Sequence, residues 1–369
     1  MIEFKDLTLR EGSQVPGLTI DESAGIDVLR DLATLGIDCV EVSFPRARRR
    51  ASWYREADAL DLRTAALARA VPADVDAALG VDPDEVEVMI NASDVQLEHA
   101  LGASRIEARE RLVAAIDRAR DGGVDVGATL MDAMRADDAF LVETARAAVD
   151  ARAAHVTLAD TTGAGTPETV AETVAAVTGE LGDDAAVAVH THDDMGVATA
   201  NAAVGVDAGS TRVDVTVGGL GERTGNAPLE EVAVLLAERG DDLGLDLGAL
   251  VPACRRVLDR LGEAVPAGKP VLGERAYSHE SGMHTAAMLA DPRTYEAFDP
   301  ATYGGRRDLR FGTETGRGAV RALLDSCGID PTDERVAAGL AAIRERATAR
   351  GGPIDVEAAR GLLRDRFRD

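Results

Sequence analysis

Eight short apolar runs of β-type residues, each followed by an amphipathic helical stretch, constrain this chain more than any other feature. The runs fall at 2–9, 37–44, 63–68, 85–90, 124–130, 155–159, 187–192 and 212–217. Stretches rich in Ala, Arg, Glu and Leu lie between them, such as 21–35, 105–121, 166–181 and 195–208. Eight strands alternating with about eight helices over about 240 residues predict an α/β fold, the (β/α)8 or TIM barrel. An open doubly wound sheet is the rival, but it usually has fewer strands and opens on a glycine fingerprint. The first strand–helix turn here reads Arg10-Glu11-Gly12-Ser13-Gln14, with one glycine and two charges. After about residue 245 the pattern changes to helices and irregular segments, with helical stretches at 316–327 and 332–350 and a last helix starting near Ile354. The expectation is a catalytic barrel over 1–245 and a smaller, mainly helical C-terminal region over 246–369. A linker is expected near 264–275, where the chain reads Pro266-Ala267-Gly268-Lys269-Pro270.

Barrel chemistry sits at the C-terminal ends of the strands, so polar residues are expected there. The first run leads into Arg10-Glu11, and the second into Ser43-Phe44-Pro45-Arg46. The fourth leads into Asn91-Ala92-Ser93-Asp94, and the sixth into Asp160-Thr161-Thr162-Gly163. The seventh ends at His190-Thr191-His192-Asp193-Asp194, and the eighth at Gly218-Gly219-Leu220-Gly221-Glu222-Arg223.

Charge removes whole classes of function. The chain carries 65 acidic against 40 basic residues, a formal net charge of −25. Such a surface repels nucleic acid and anionic membranes. With 46% apolar residues, the charge excess does not mean disorder. Lys5 and Lys269 are the two lysines, and every other cation is arginine. An acidic, lysine-poor composition fits a halophilic protein held soluble by salt screening, whereas a GC-rich genome would explain the arginine but not the acid excess. Neither lysine falls at a predicted strand end, which argues against Schiff-base chemistry. There is no basic-then-apolar leader and no apolar run of the roughly 18–20 residues that span a bilayer. Cys39, Cys254 and Cys327 form neither a metal spacing nor a disulfide framework. A cytoplasmic location is therefore expected.

Four segments could carry chemistry. His190 and His192 stand at i and i+2 on a strand, so both rings point to one face and could chelate one divalent ion with a carboxylate. Taken alone, the pair could equally be two histidines in a polar loop. Glu11 offers a hard oxygen ligand, and Arg10 a permanent cation for a developing oxyanion. In Gly221-Glu222-Arg223-Thr224-Gly225-Asn226, Asn226 offers an amide oxygen, although the segment also reads as a glycine-rich turn. Tyr277-Ser278-His279-Glu280-Ser281-Gly282-Met283-His284, with Tyr295 beyond it, adds two histidines that could serve as bases or simply pack. Arg46, in an arginine-rich loop, could grip a distal carboxylate, or the loop could be a solvated basic turn or attract coenzyme A phosphates.

Together these segments resemble one family. D-x-T-L-R-E-G-x-Q-x-P-G, H-T-H-D-D-x-G-x-A-x-A-N, G-x-G-E-R-x-G-N-x-x-L-E-E and H-E-S-G-x-H are similar to motifs of the metal-dependent barrel acyltransferases: homocitrate, 2-isopropylmalate and citramalate synthases. The resemblance runs from Asp6 to about Tyr295. It implies a divalent metal (Mg, Mn or Zn) held by Glu11, His190 and His192, with Asn226 as a further ligand. It implies that Arg10 polarises a 2-oxo acid, that Gln14 and Thr161 line it, and that acetyl-CoA is the co-substrate. It also implies a homodimer in which His284, with Tyr295 beside it, reaches the neighbouring active site. The implied reaction removes a methyl proton from acetyl-CoA, attacks the keto carbon and hydrolyses the thioester.

Two departures qualify the resemblance. The family's acid near the end of the fifth strand is replaced here, in Thr129-Leu130-Met131-Asp132, by Met131. Asp132 is expected to face the other way on a strand. This leaves a metal-dependent lyase or aldolase of the same superfamily as the alternative reading, and a non-catalytic relative as a third. The chain also ends at Asp369, too early for the regulatory domain of the longer synthases, which tilts the expectation to 2-oxoglutarate. 2-Oxoisovalerate and pyruvate remain open.

Overall fold

The structure, a computed structural model, describes residues 1–367. Eight parallel strands close into a barrel in sequence order: β1 (Glu3–Asp6), β2 (Cys39–Ser43), β3 (Arg63–Arg69), β4 (Glu85–Asn91), β5 (Asp125–Met131), β6 (His155–Asp160), β7 (Ala186–Thr191) and β8 (Arg212–Val215). Closure is made by β1 against β8, with Lys5 opposite Asp214. Every predicted run overlaps one strand, and five of the strands extend one residue past the run. Alternation explains the composition of each. In β4, Val86, Val88 and Ile90 point outward against the helices, while Glu85, Glu87 and Met89 point into the barrel. Capping sets the helix starts: Asp21 opens Glu22–Ala33, and Ser104 with Glu107 forms a capping box on Arg105–Asp121.

The first strand is shorter than expected. β1 stops at Asp6 because the Asp6 carboxylate accepts hydrogen bonds from the Thr8 amide (3.0 Å) and hydroxyl (2.8 Å). The chain then turns into a short helix, Thr8–Gly12. Arg10 and Glu11 are therefore presented by a helical turn rather than by the strand itself.

The chain divides into two compact units, Met1–Val265 and Pro266–Asp369. The boundary thus lies beyond residue 245. The helix Leu250–Leu261 belongs to the barrel unit because Leu250, Val251, Cys254 and Val257 are buried there. Arg256 and Arg260 also pair with Asp31 of the first long helix, at 2.6 and 2.5 Å. The second unit contains β9 (Ser278–His279), β10 (Asp308–Phe311) and β11 (Ile354–Asp355), with β10 in the middle of the sheet. The helices Gly282–Ala290, Arg317–Ser326, Asp333–Arg350 and Val356–Arg366 pack around Phe311, Val320, Leu323, Ile343 and Leu363. Among the described residues, no helix is long and apolar enough to cross a membrane.

Candidate active site

Three separate elements bring Glu11, His190 and His192 together at the C-terminal mouth of the barrel. Glu11 comes from the short helix Thr8–Gly12, whose position is set by the Thr8 hydroxyl accepting the Val217 amide at 2.8 Å. His190 lies on the inner face of β7. His192 follows the strand and is held by a backbone bridge to Asn226 and by the Asp193 amide donating to the Gly225 carbonyl at 2.9 Å. The two Nε2 atoms are 3.3 Å apart, and His190 Nε2 lies 3.8 Å from Glu11 Oε1. One ligand atom from each of the three lies within 4.8 Å of the others. All three side chains and Asn226 are buried.

These residues fit a divalent cation. Glu11 Oε2 and Asn226 Oδ1 are buried acceptors with no hydrogen-bond donor, and burying lone pairs without a partner is costly. A separation of 3.3 Å suits two nitrogens bound to one ion at about 2.1 Å each. Burial, with His190 adjacent, pushes the His192 imidazole down to about 3, so it stays neutral and able to ligate. Burial pushes the Glu11 carboxyl up, but Arg10, His190 and His192 together pull it below its ordinary value. Two imidazoles with a carboxylate and an amide oxygen form a donor set for Mn, Zn or a similar ion.

Sequence reading missed the groups behind this triad. Asp214 of β8 places Oδ2 3.3 Å from His190 Nδ1, the arrangement that orients a metal-binding imidazole. Glu41 of β2 accepts from Arg10 Nε at 2.5 Å, and Arg10 Nη1 also donates to Glu11. Arg10 is thereby fixed beside the triad as a permanent cation. The available signal was charged residues on the inward positions of otherwise apolar strands. A second acidic group, Glu85, Glu87 and His155, lies deeper in the barrel. Its charges are met within the protein: Arg212 pairs with Glu85 at 3.1 Å, and His155 Nε2 meets Glu87 at 2.9 Å.

The triad opens into a cavity of about 350 Å³. Gln14 and Thr161 line it, as expected, together with Arg10, Glu11 and both histidines. Arg46 does not line it. That side chain is solvent-exposed and turned to Asp74 at 3.6 Å, where Arg69 also pairs, whereas Arg48 lines the cavity. Phe44, Leu67, Met89, Met131 and Ala159 make much of the wall apolar. Asp132 takes no part. Its backbone is left-handed (φ 59°), which turns the carboxylate to Ser93, Arg135 and Thr162. His284 and Tyr295 lie in the second unit, with rings stacked at 3.8 Å between centroids and an interplanar angle of 26°. Asp291, which caps the turn before Tyr295, accepts the Arg293 amide at 3.0 Å.

The HMGL-like family profile matches residues 1–257, and the homocitrate synthase post-HMGL domain-like profile matches residues 271–351. The chain is 38% identical over 339 residues to a probable 2-isopropylmalate synthase of Methanopyrus kandleri, covering 91% of this chain and 68% of that protein. It is 38% identical over 335 residues to homocitrate synthase AksA of the same organism, covering 90% and 84% respectively. The crystal structure of hydroxymethylglutaryl-CoA lyase from Pseudomonas aeruginosa is 27% identical, with a TM-score of 0.63 over 71% of this chain and 94% of that one.

Proposed function

Since the chain belongs to the HMGL-like family, with a post-HMGL domain of the homocitrate synthase type after its barrel, we propose that it condenses acetyl-CoA with a 2-oxo acid. The observation that carries this reading is the buried Glu11–His190–His192 triad with Arg10 fixed beside it at one end of a cavity. Glu11, His190, His192 and Asn226 would hold a divalent ion. Bound there, the ion supplies a Lewis acid for a keto oxygen and an anchor for the adjacent carboxylate. Arg10 places a permanent cation where negative charge develops as the carbon–carbon bond forms. Gln14 and Thr161 orient the acid from the cavity wall. His284, stacked on Tyr295, takes the methyl proton of acetyl-CoA, and we assign it to the mouth of a second copy of the chain in a homodimer.

The wall also bears on which acid is used. Arg46, which could have gripped the distal carboxylate of 2-oxoglutarate, is turned to Asp74. Beyond the triad, a substrate side chain would meet Leu67, Met89 and Met131. Burying a second carboxylate against these three side chains is costly. Arg48, an exposed residue of the loop after β2, is the cation on the lining away from the triad and Arg10, so an aliphatic 2-oxo acid such as 2-oxoisovalerate fits this apolar part of the wall better. The test is thiol release from acetyl-CoA with Mn2+ in high salt, across 2-oxoisovalerate, pyruvate and 2-oxoglutarate. We expect the highest kcat/KM with 2-oxoisovalerate. No thiol above background with any acid would end the synthase reading. A preference for 2-oxoglutarate would mean that Arg48, on the cavity lining, pairs with its second carboxylate, and would overturn the aliphatic assignment. We do not adopt the lyase reading that Met131 raised, because relatives matching nine-tenths of the chain carry synthase names.

A further inference from the structure

One buried charge has no part in the proposed reaction. Lys5, on the inner face of β1, has no solvent-exposed side-chain surface. Its ammonium lies 3.5 Å from Glu41 Oε2, 3.1 Å from Glu87 Oε2 and 3.4 Å from Asp214 Oδ1. Two of these carboxylates use their other oxygen on the candidate site. Glu41 Oε1 accepts from Arg10, and Asp214 Oδ2 faces His190 Nδ1. We infer that Lys5 is a positioning residue, clamping Glu41 and Asp214 so that Arg10 and His190 are held at the site together. The inference rests on the reading of the site given above.

The physical case follows from charge and reach. Three carboxylates that face one point inside a barrel repel one another, and their repulsion in a low dielectric is large. A cation at that point lets all three stay ionised at fixed separation. Without it, side-chain movement would relieve the repulsion. Asp214 would then no longer hold the His190 ring, nor Glu41 the Arg10 guanidinium. Lysine suits the position because its compact ammonium meets three acceptors arriving from β2, β4 and β8.

The test is Mn2+ affinity of metal-stripped protein by calorimetry, together with KM for the preferred 2-oxo acid. The comparison is between the unmutated protein and K5M/E87Q, with E87Q as the control for loss of that carboxylate. The double variant removes the cation with one of its carboxylates, so the charge of the cluster matches the unmutated protein and through-space effects on Mn2+ largely cancel. We expect E87Q to bind Mn2+ within about threefold of the unmutated protein. K5M/E87Q should bind about 10- to 100-fold more weakly, the usual cost of losing a group that orients a metal ligand, and KM should rise with it. Equal affinity and KM in K5M/E87Q and the unmutated protein would overturn the role of Lys5 and leave the metal centre standing. An unmutated protein that binds no Mn2+ would remove the centre and this inference with it. If K5M/E87Q does not fold, D214N, E41Q and their double variant give the same answer. Linked through Lys5, their losses in Mn2+ affinity should depart from additivity by at least about threefold, and additive losses would overturn the inference.

Discussion

Acidification of the metal-free protein should destabilise the barrel through one imidazole. His192 is buried between His190, Glu11, Arg10 and Arg223, and desolvation with its cationic neighbours holds it near 3 against an ordinary 6.5. In the unfolded chain His192 takes up a proton below about 6.5, whereas in the folded protein it does so only near 3. The unfolded state therefore binds more protons over that window, and stability falls as pH falls through it. Between pH 7 and pH 5 this one group withdraws about 2 kcal/mol. The chain has one tryptophan, Trp53, fully buried in the barrel unit, so its fluorescence reports unfolding of that unit. Urea unfolding at fixed salt, with EDTA present, gives the stability at each pH. H192N removes the titrating group, and its loss between pH 7 and pH 5 should be smaller than that of the unmutated protein by about 2 kcal/mol. Carboxylates titrate in both proteins and cancel in the comparison. Equal losses in the two would refute the idea that a desolvated, neutral imidazole waits at this site.

Three further outcomes can be checked. R10K keeps the charge but loses the fork that pairs with Glu41 and Glu11, and kcat/KM should fall about 100- to 1000-fold in steady-state assays. H284A should lower kcat by about 100- to 10,000-fold while Mn2+ affinity measured by calorimetry is unchanged; an unchanged kcat would remove His284 from proton transfer. G25A adds a methyl where the helix Glu22–Ala33 meets the Trp53 indole with no room for it. Unfolding followed by circular dichroism should show a loss of about 1–3 kcal/mol, with activity per folded molecule retained.

Much of this was readable before any coordinates. The eight strands were legible because a parallel barrel strand must present branched apolar residues to its helices on every second position, and that pattern is local. His190 and His192 were legible as a pair because a strand sends i and i+2 to one face. Glu41 and Asp214 were not legible. Each stands alone among apolar residues, and nothing within a few positions says which other inward residue it meets. Arg46 and Arg48 show the same limit. They are two residues apart on an exposed loop, and the pairing of Arg46 with Asp74, in the helix that follows the next strand, separates them.

Periodicity by itself pointed to the barrel and to the end of it expected to carry chemistry, and motif order pointed to Glu11, His190 and His192 as candidate ligands. What only the tertiary structure decided is how the charges inside the barrel are shared. Closure of β1 on β8 sets Lys5 opposite Asp214, and the stagger of the sheet brings Glu41 and Glu87 to the same point. The contact of Lys5 with Asp214 joins residues more than two hundred positions apart in the chain. It exists only once every strand between them is in register, because ionic contact needs a few ångströms and no local pattern carries information over that distance.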